Sequence, residues 1–274
     1  MNDFLERIVE SRKRRLAETK GARSLEAVRR EAEAVRASAR PHAFRDAIAD
    51  AGRVNVIAEF KRASPSKGEI RGSASPVETA RAYERGGAAA LSVLTEEDNF
   101  RGSLLDLVEV KRSTRLPALR KDFILEEYQV FESAAAHADA LLLIVAALDD
   151  ATLARLIKLT ENEIGIDALV EVHTTDEMRR ARDAGAKIIG VNNRDLRTFE
   201  VSLETSVVLG REAPAGTLLV SESGIRDASD IERLRASGYN AFLVGETLMR
   251  AGRPDEALRL LIKADEGGLA SVAD

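Results

Sequence analysis

From about residue 54 onward, hydrophobic and polar positions alternate between two patterns. Short runs of aliphatic and β-branched residues recur about every 20 to 30 residues, and a stretch with helical spacing of apolar positions follows most of them. The runs are Val54–Glu59, Ala90–Leu94, Ala118–Lys121, Ala140–Val145, Ala168–Val172, Lys187–Asn192, Thr217–Ser221 and Ala241–Val244, which makes eight candidate strands. Helical patterns lie at about 76–86, 103–112, 126–136, 149–162, 174–184, 202–210, 227–236 and 254–263. The Gly86-Gly87 pair, Gly185 and Gly238 fall just past three of these, where a left-handed C-cap residue is expected. Strands separated by helices of this length predict parallel pairing through right-handed crossovers. Eight such units predict closure into a barrel. No GxGxxG opens the first unit, which counts against a dinucleotide-binding sheet. Ahead of the alternation, residues 3–37 predict helix, with Phe4, Leu5, Ile8 and Val9 on one apolar face and an interruption at Gly21. The expected organisation is a single (β/α)8 TIM barrel over residues 46–274, preceded by an N-terminal helical extension over residues 1–45.

Composition narrows the function classes. The chain has 274 residues, no cysteine and three histidines at 42, 137 and 173. Disulfides and thiolate metal sites are excluded, and no metal site is expected. A net charge of −5 argues against a broad nucleic-acid footprint. Aromatic residues make up 4% with no Trp, so base-stacking platforms are not expected either. No apolar run approaches the roughly 18 residues that span a bilayer. The charged start, MNDFLERIVESRKRR, lacks a signal-peptide core. The expectation is a soluble cytoplasmic protein that binds neither nucleic acid nor membrane.

The strand runs begin apolar and end polar, although a buried parallel strand should be apolar throughout. The first ends with Glu59 and Lys61, the third with Lys121, the fifth with Glu171, the sixth with Asn192 and Arg194, and the seventh with Glu222. Strand C-terminal ends in a β/α barrel point at the active site. With period-two geometry, Glu59 and Lys61 face inward if Ile57 does, and Lys121 follows Leu119, Glu171 follows Leu169, Asn192 follows Gly190, and Glu222 follows Val220. One such charge alone reads as a solvated loop residue, and Glu59 and Lys61 could simply pair with each other. The same placement in five runs points instead to a cluster with a task. His173 also follows a strand, but a lone histidine is more commonly structural than substrate-contacting.

Two glycine-containing turns suggest an anion site. Ser221-Glu222-Ser223-Gly224 precedes one helix, and Val244-Gly245-Glu246 precedes a short one. Backbone N–H groups there can approach an oxyanion at a helix N-terminus, and the loops after strands seven and eight are the usual phosphate cradle of this fold. The Glu246 side chain is expected to point away while its N–H contributes. The loop from Lys61 to Gly68 is basic and rich in turn formers, and reads as a mobile lid supplying Lys61 or Ser64 to substrate.

At these residues the sequence resembles the indole-3-glycerol-phosphate synthase family of tryptophan biosynthesis. The resemblance runs from about residue 50 to 262 in seven ordered blocks: IAEFKRASPSKG, LSVLTEEDNFRGS, LRKDFILEEYQV, LVEVHT, IGVNNRDL, SESGI and FLVGETLM. It implies a carboxy-lyase that closes the ring of 1-(2-carboxyphenylamino)-1-deoxyribulose 5-phosphate, yielding indole-3-glycerol phosphate, carbon dioxide and water without cofactor or metal. By similarity Lys121 is the general acid and Glu171 the general base, and Glu59 and Lys61 flank the reacting centre. Asn192 and Arg194 hold the anthranilate side, and Glu222 contacts sugar hydroxyls. Ser64 and Phe123 line the pocket, Phe100 covers the aromatic ring, and Ser223, Gly224, Gly245 and Glu246 match the phosphate loops. Many family members carry Ser where this chain has Glu246. A monomer or weak homodimer is expected. Two other readings stay open: another phosphate-binding barrel isomerase or aldolase, with Lys121 as a nucleophile, and a non-catalytic phosphosugar-binding barrel.

Overall fold

The computed structural model describes residues 3–263, so the outer ends of the expected segments, residues 1–2 and 264–274, lie outside it. Eight parallel strands close into a barrel: β1 (Asn55–Phe60), β2 (Ala90–Leu94), β3 (Ala118–Lys121), β4 (Ala140–Ile144), β5 (Asp167–Val172), β6 (Ile188–Asn192), β7 (Leu218–Glu222) and β8 (Ala241–Val244). Each pairs with its neighbours in sequence, and β1 pairs with β8 from Asn55↔Ala241 to Ala58↔Val244 to shut the ring. The strands differ from the expected runs by a residue at some ends, as when β7 runs one residue further and takes in Glu222.

Along most of their length the strands are apolar on both faces, as burial on two sides requires. Ile57, Ala90, Leu119, Leu142, Leu169, Ile188, Val220 and Leu243 point into the barrel, and Phe44 and Ile48 join them from below. Val56, Leu91, Val93, Leu141, Val170, Ile189 and Phe242 point out, into a second core shared with the surrounding helices. Those helices are α4 (Pro76–Gly86), α5 (Leu104–Ser113), α6 (Glu127–Ala135), α7 (Asp150–Lys158), α8 (Thr175–Asp183), α9 (Glu204–Gly210), α10 (Ala228–Ala236), the short α11 (Glu246–Arg250) and α12 (Pro254–Ile262). Caps set several starts: Ser75, Ser103, Asp149, Thr174 and Asp227 each accept a backbone N–H of the first turn. Gly87, Gly185 and Gly238 take the left-handed conformation expected of them.

Three departures from the sequence reading concern helices. The 149–162 pattern is α-helical only to Lys158, and Leu159–Ile164 widens into a π-turn closed by Gly165. Residues 3–37 form two helices, α1 (Asp3–Ala22) and α2 (Leu25–Arg36), and Gly21 lies inside α1. The break falls at Arg23 and Ser24, because the Ser24 hydroxyl caps α2 by accepting from Ala27 N–H. The third is α3 (Ala43–Ile48), not anticipated at all, which delivers Phe44 and Ile48 to the barrel floor. Meanwhile α2 packs along α6, and α1 crosses the opposite end, tied down by Arg12 to Asp122 (2.6 Å) and Lys20 to Glu126 (2.7 Å).

Candidate active site

Above the inner core, the inward positions turn polar at the C-terminal end. A cavity of about 640 Å³ opens there, within the usual range for a small-molecule site. All fourteen residues expected at the site line it: Glu59, Lys61, Ser64, Phe100, Lys121, Phe123, Glu171, Asn192, Arg194, Glu222, Ser223, Gly224, Gly245 and Glu246.

Strand register brings the charges together. Asn192 sits beside Glu222 across β6 and β7, and Gly190 beside Glu171 across β5 and β6. Lys121 Nζ stands 2.7 Å from Glu222 Oε2 and 3.2 Å from Glu171 Oε2. Lys61 and Glu59 do pair with each other, at 2.6 Å, but inside the cavity and not in solvent. Two glycines make this crowding possible. A Cβ on Gly190 would stand 2.1 Å from Glu222 Oε1, and one on Gly245 would stand 2.3 Å from Glu59 Oε1. Gly245, read from sequence as part of an anion loop, therefore also vacates the space that Glu59 occupies.

Burial and neighbours set the protonation states. Burial disfavours the Lys121 ammonium, but the carboxylates of Glu222, Glu171 and Glu59 outweigh it and hold its pKa above the ordinary lysine value. Burial pushes both carboxylates up. For Glu171 this is overcome by Lys121, His173 and a hydrogen bond from Asn192, so it stays below its ordinary value. Glu222 feels Glu171 and Glu59 as like charges, so burial prevails over Lys121 and its pKa rises to about 7.

The rim after β7 and β8 has the features of an anion cradle. Ser223 (φ 67°) and Gly224 (φ 85°) are both left-handed, and neither Gly224 N–H nor Ile225 N–H meets a protein acceptor among the described residues. Glu246 opens α11, and its carboxylate turns along the helix to Arg250 at 3.0 Å. The loop after β1 folds as a two-rung antiparallel ladder, Ala63↔Glu69 and Ser64↔Gly68, and Arg62 ties it to Asp106.

Several lining residues escaped the sequence reading. Leu94, Leu142, Ile144 and Leu243 form an apolar wall, and the same period-two parity would have found all four. Phe4 and Leu5 of α1 and Phe199 and Val201 of the loop after β6 roof the cavity, with the Phe4 and Phe199 rings edge to face at 5.0 Å. Asn193 is buried behind the rim. Its amide nitrogen donates to Ser221 Oγ, Glu222 O and Ser223 O, and its oxygen accepts from Ser206, which braces the end of β7. His173 does not line the cavity; it lies behind Glu171.

A closed β/α barrel with a mixed-charge floor and this rim defines an enzyme acting on a small phosphorylated molecule. The profile of the indole-3-glycerol phosphate synthase family matches residues 5–261. The indole-3-glycerol phosphate synthase of Koribacter versatilis (strain Ellin345) is 48% identical over 266 residues, 96% of this chain and 100% of that protein. That of Carboxydothermus hydrogenoformans is 45% identical over 263 residues, 94% of this chain and 99% of that protein. The chain belongs to the indole-3-glycerol phosphate synthase family. Among solved structures, 3-hexulose-6-phosphate synthase from Salmonella typhimurium superposes with a TM-score of 0.62 at 12% identity, covering 76% of this chain and 96% of that one, a likeness of fold alone.

Proposed function

We propose that the cavity closes the ring of 1-(2-carboxyphenylamino)-1-deoxyribulose 5-phosphate with Lys121 as general acid and Glu171 as general base. The chain is a decarboxylating carbon–carbon lyase of tryptophan biosynthesis, forming indole-3-glycerol phosphate, carbon dioxide and water. The observation that carries the role assignment is Lys121 held between two buried carboxylates, 2.7 Å from Glu222 and 3.2 Å from Glu171.

The substrate brings a phosphate and a carboxylate to opposite ends. The phosphate takes the rim at Ser223, Gly224, Gly245 and Glu246, through backbone N–H groups. The aromatic ring lies against Phe100, Phe123 and the apolar wall, and Lys61, Asn192 and Arg194 meet the carboxylate side. As the carboxylated ring carbon attacks the ribulose carbonyl, the oxygen becomes strongly basic, and Lys121 protonates it. Ring closure leaves an electron-deficient nitrogen-bearing carbon beside the carboxylate, so the electrons of the breaking C–CO2 bond have an acceptor. Glu171, held anionic, then removes a proton, and water leaves to complete the indole. Glu222, with a pKa of about 7 and in contact with Lys121, is poised to return a proton to it.

The aldolase reading needs a neutral amine at Lys121. The raised pKa of that group opposes it. Borohydride trapping of a substrate–Lys121 adduct would revive it. The direct test uses the absence of Trp: incubation with the substrate should produce indole fluorescence on a low background, and a well-folded protein that produces none would refute the activity.

A further inference from the structure

The floor of the cavity holds three buried carboxylates, Glu59, Glu171 and Glu222, and two lysines. Lys61 takes Glu59, and Lys121 is shared between the other two. His173 is the first residue after β5. Its backbone N–H donates to Glu177 Oε2 on α8 at 2.7 Å, and its Nδ1 lies 3.3 Å from that same oxygen. On its other side Nε2 lies 3.4 Å from Glu171 Oε1, while Glu171 Oε2 faces Lys121. Nε2 is buried and, among the described residues, has no hydrogen-bond partner besides this near approach.

The ring thus has a carboxylate at each nitrogen. A neutral imidazole carries one N–H, so either tautomer would turn a lone pair towards an anionic oxygen, at Glu177 or at Glu171. The imidazolium alone donates on both sides. The ring is under the influence of four carboxylates: Glu171 from β5, Glu177 from α8, Glu222 from β7, and Asp195 from the loop after β6. Lys121 reaches Glu171 from the opposite side, on its other oxygen.

We propose that His173 is a positioning residue for Glu171: braced by Glu177, it presents a protonated Nε2 to Glu171 Oε1, fixes the rotation of that carboxylate and keeps it anionic for proton removal. The inference rests on Glu171 being the base. Burial of the ring opposes its charge, and the surrounding carboxylates outweigh burial to raise its pKa above the ordinary value. His173 touches no substrate in this arrangement and acts through Glu171.

The test joins spectroscopy to kinetics. With three histidines in the chain, imidazole 1H–15N correlations of wild type, assigned through His173→Gln, read the state of each ring. His173 is expected to carry protons on both nitrogens at pH 7, and Glu177→Gln is expected to move its titration down by about one pH unit. In His173→Gln, the acid limb of the kcat profile should move up by about 0.5 to 1 unit, with kcat at a fixed pH on that limb, below its midpoint, down about 3- to 10-fold and KM within about twofold. Glu177→Gln should shift the limb in the same direction, and it keeps the test alive if His173→Gln folds poorly. A neutral His173 ring at pH 7, or an acid limb unmoved in both variants, would overturn the proposal. Wild-type protein that closes no ring would refute the reading of the site instead, while the titration still decides the state of His173.

Discussion

The two ends of the barrel both bury polar side chains, and they use them in opposite ways. At the N-terminal end the partners are mainly backbone. Asp167 accepts from Arg45 N–H at 2.8 Å beside the His42 ring. The Asn55 amide donates to three carbonyls, those of Ile48, Asp50 and Asn240, and Phe44 and Ile48 fill the axis. At the C-terminal end the partners are other side chains from other strands, and the axis is empty. Lys121 is shared by two carboxylates, and Glu222 Oε1 is buried with no hydrogen-bond partner among the described residues. A buried polar group bound to backbone is committed to holding the fold. One bound to a rotatable neighbour exchanges that partner for substrate at small penalty, which is the condition for chemistry. The first end should therefore report on stability and the second on rate.

The widest separation is expected between Lys121→Met and Asp167→Ala. The first should lower kcat by about 10³-fold or more with a modest change in Tm. The second should remove about 2–4 kcal/mol of stability and leave kcat of the folded protein within about twofold. Equal losses of kcat in both, measured alongside denaturant unfolding, would break the distinction. Gly190→Ala and Gly245→Ala test whether the crowding is functional. A methyl there meets Glu222 or Glu59, so kcat should fall about 10- to 100-fold for roughly 1–3 kcal/mol of lost stability.

The pH dependence of stability sharpens the comparison further. Glu222 titrates at about 7 when folded, against 4.5 ordinarily. Between these values the folded chain holds the extra proton, so the Glu222 contribution to stability falls as pH rises from about 4.5 to about 7 and is level above, by an amount on the order of 1–3 kcal/mol. Glu171, held low, has the opposite sign: its contribution is present above its ordinary pKa and is lost as pH falls through its lower folded value. Glu222→Gln should make the decline between pH 4.5 and 7 shallower, leaving the part due to Glu97 and Glu161, which burial also raises; an unchanged decline in urea titrations would show that Glu222 does not cause it. The smallest effect expected is from Phe4→Ala. Loss of an edge-to-face pair worth about 0.5–1.5 kcal/mol should raise KM about 2- to 10-fold with kcat unchanged.

Much of this was legible in the sequence because a two-sided parallel strand leaves few readings. The inward parity of Ile57, Leu119, Leu169 and Val220 carried Glu59, Lys121, Glu171 and Glu222 to one surface. What escaped depends on distance in space. Phe4 reaches the cavity because α1 crosses the barrel mouth, which no local periodicity encodes. Asn193 is one residue out of phase with the inward set, and its role lies in contacts to Ser206 and Ser221. His173 was read as structural because a single histidine after a strand carries no information about the carboxylates at its two nitrogens. The α1–α2 break moved from Gly21 to Ser24 because a satisfied cap outweighed the conformational freedom of a glycine.

The central claim is the division of labour between Lys121 and Glu171, and single-turnover release of carbon dioxide measured together with indole fluorescence tests it most directly. Wild type should give both signals. Lys121→Met should give neither, because the acid is needed before the C–CO2 bond breaks. Glu171→Gln should release a burst of carbon dioxide while indole formation lags about 10²-fold or more behind, because the base acts after that bond is broken. Carbon dioxide release from Lys121→Met at the wild-type rate, or indole formation in Glu171→Gln that keeps pace with decarboxylation, would contradict the assignment.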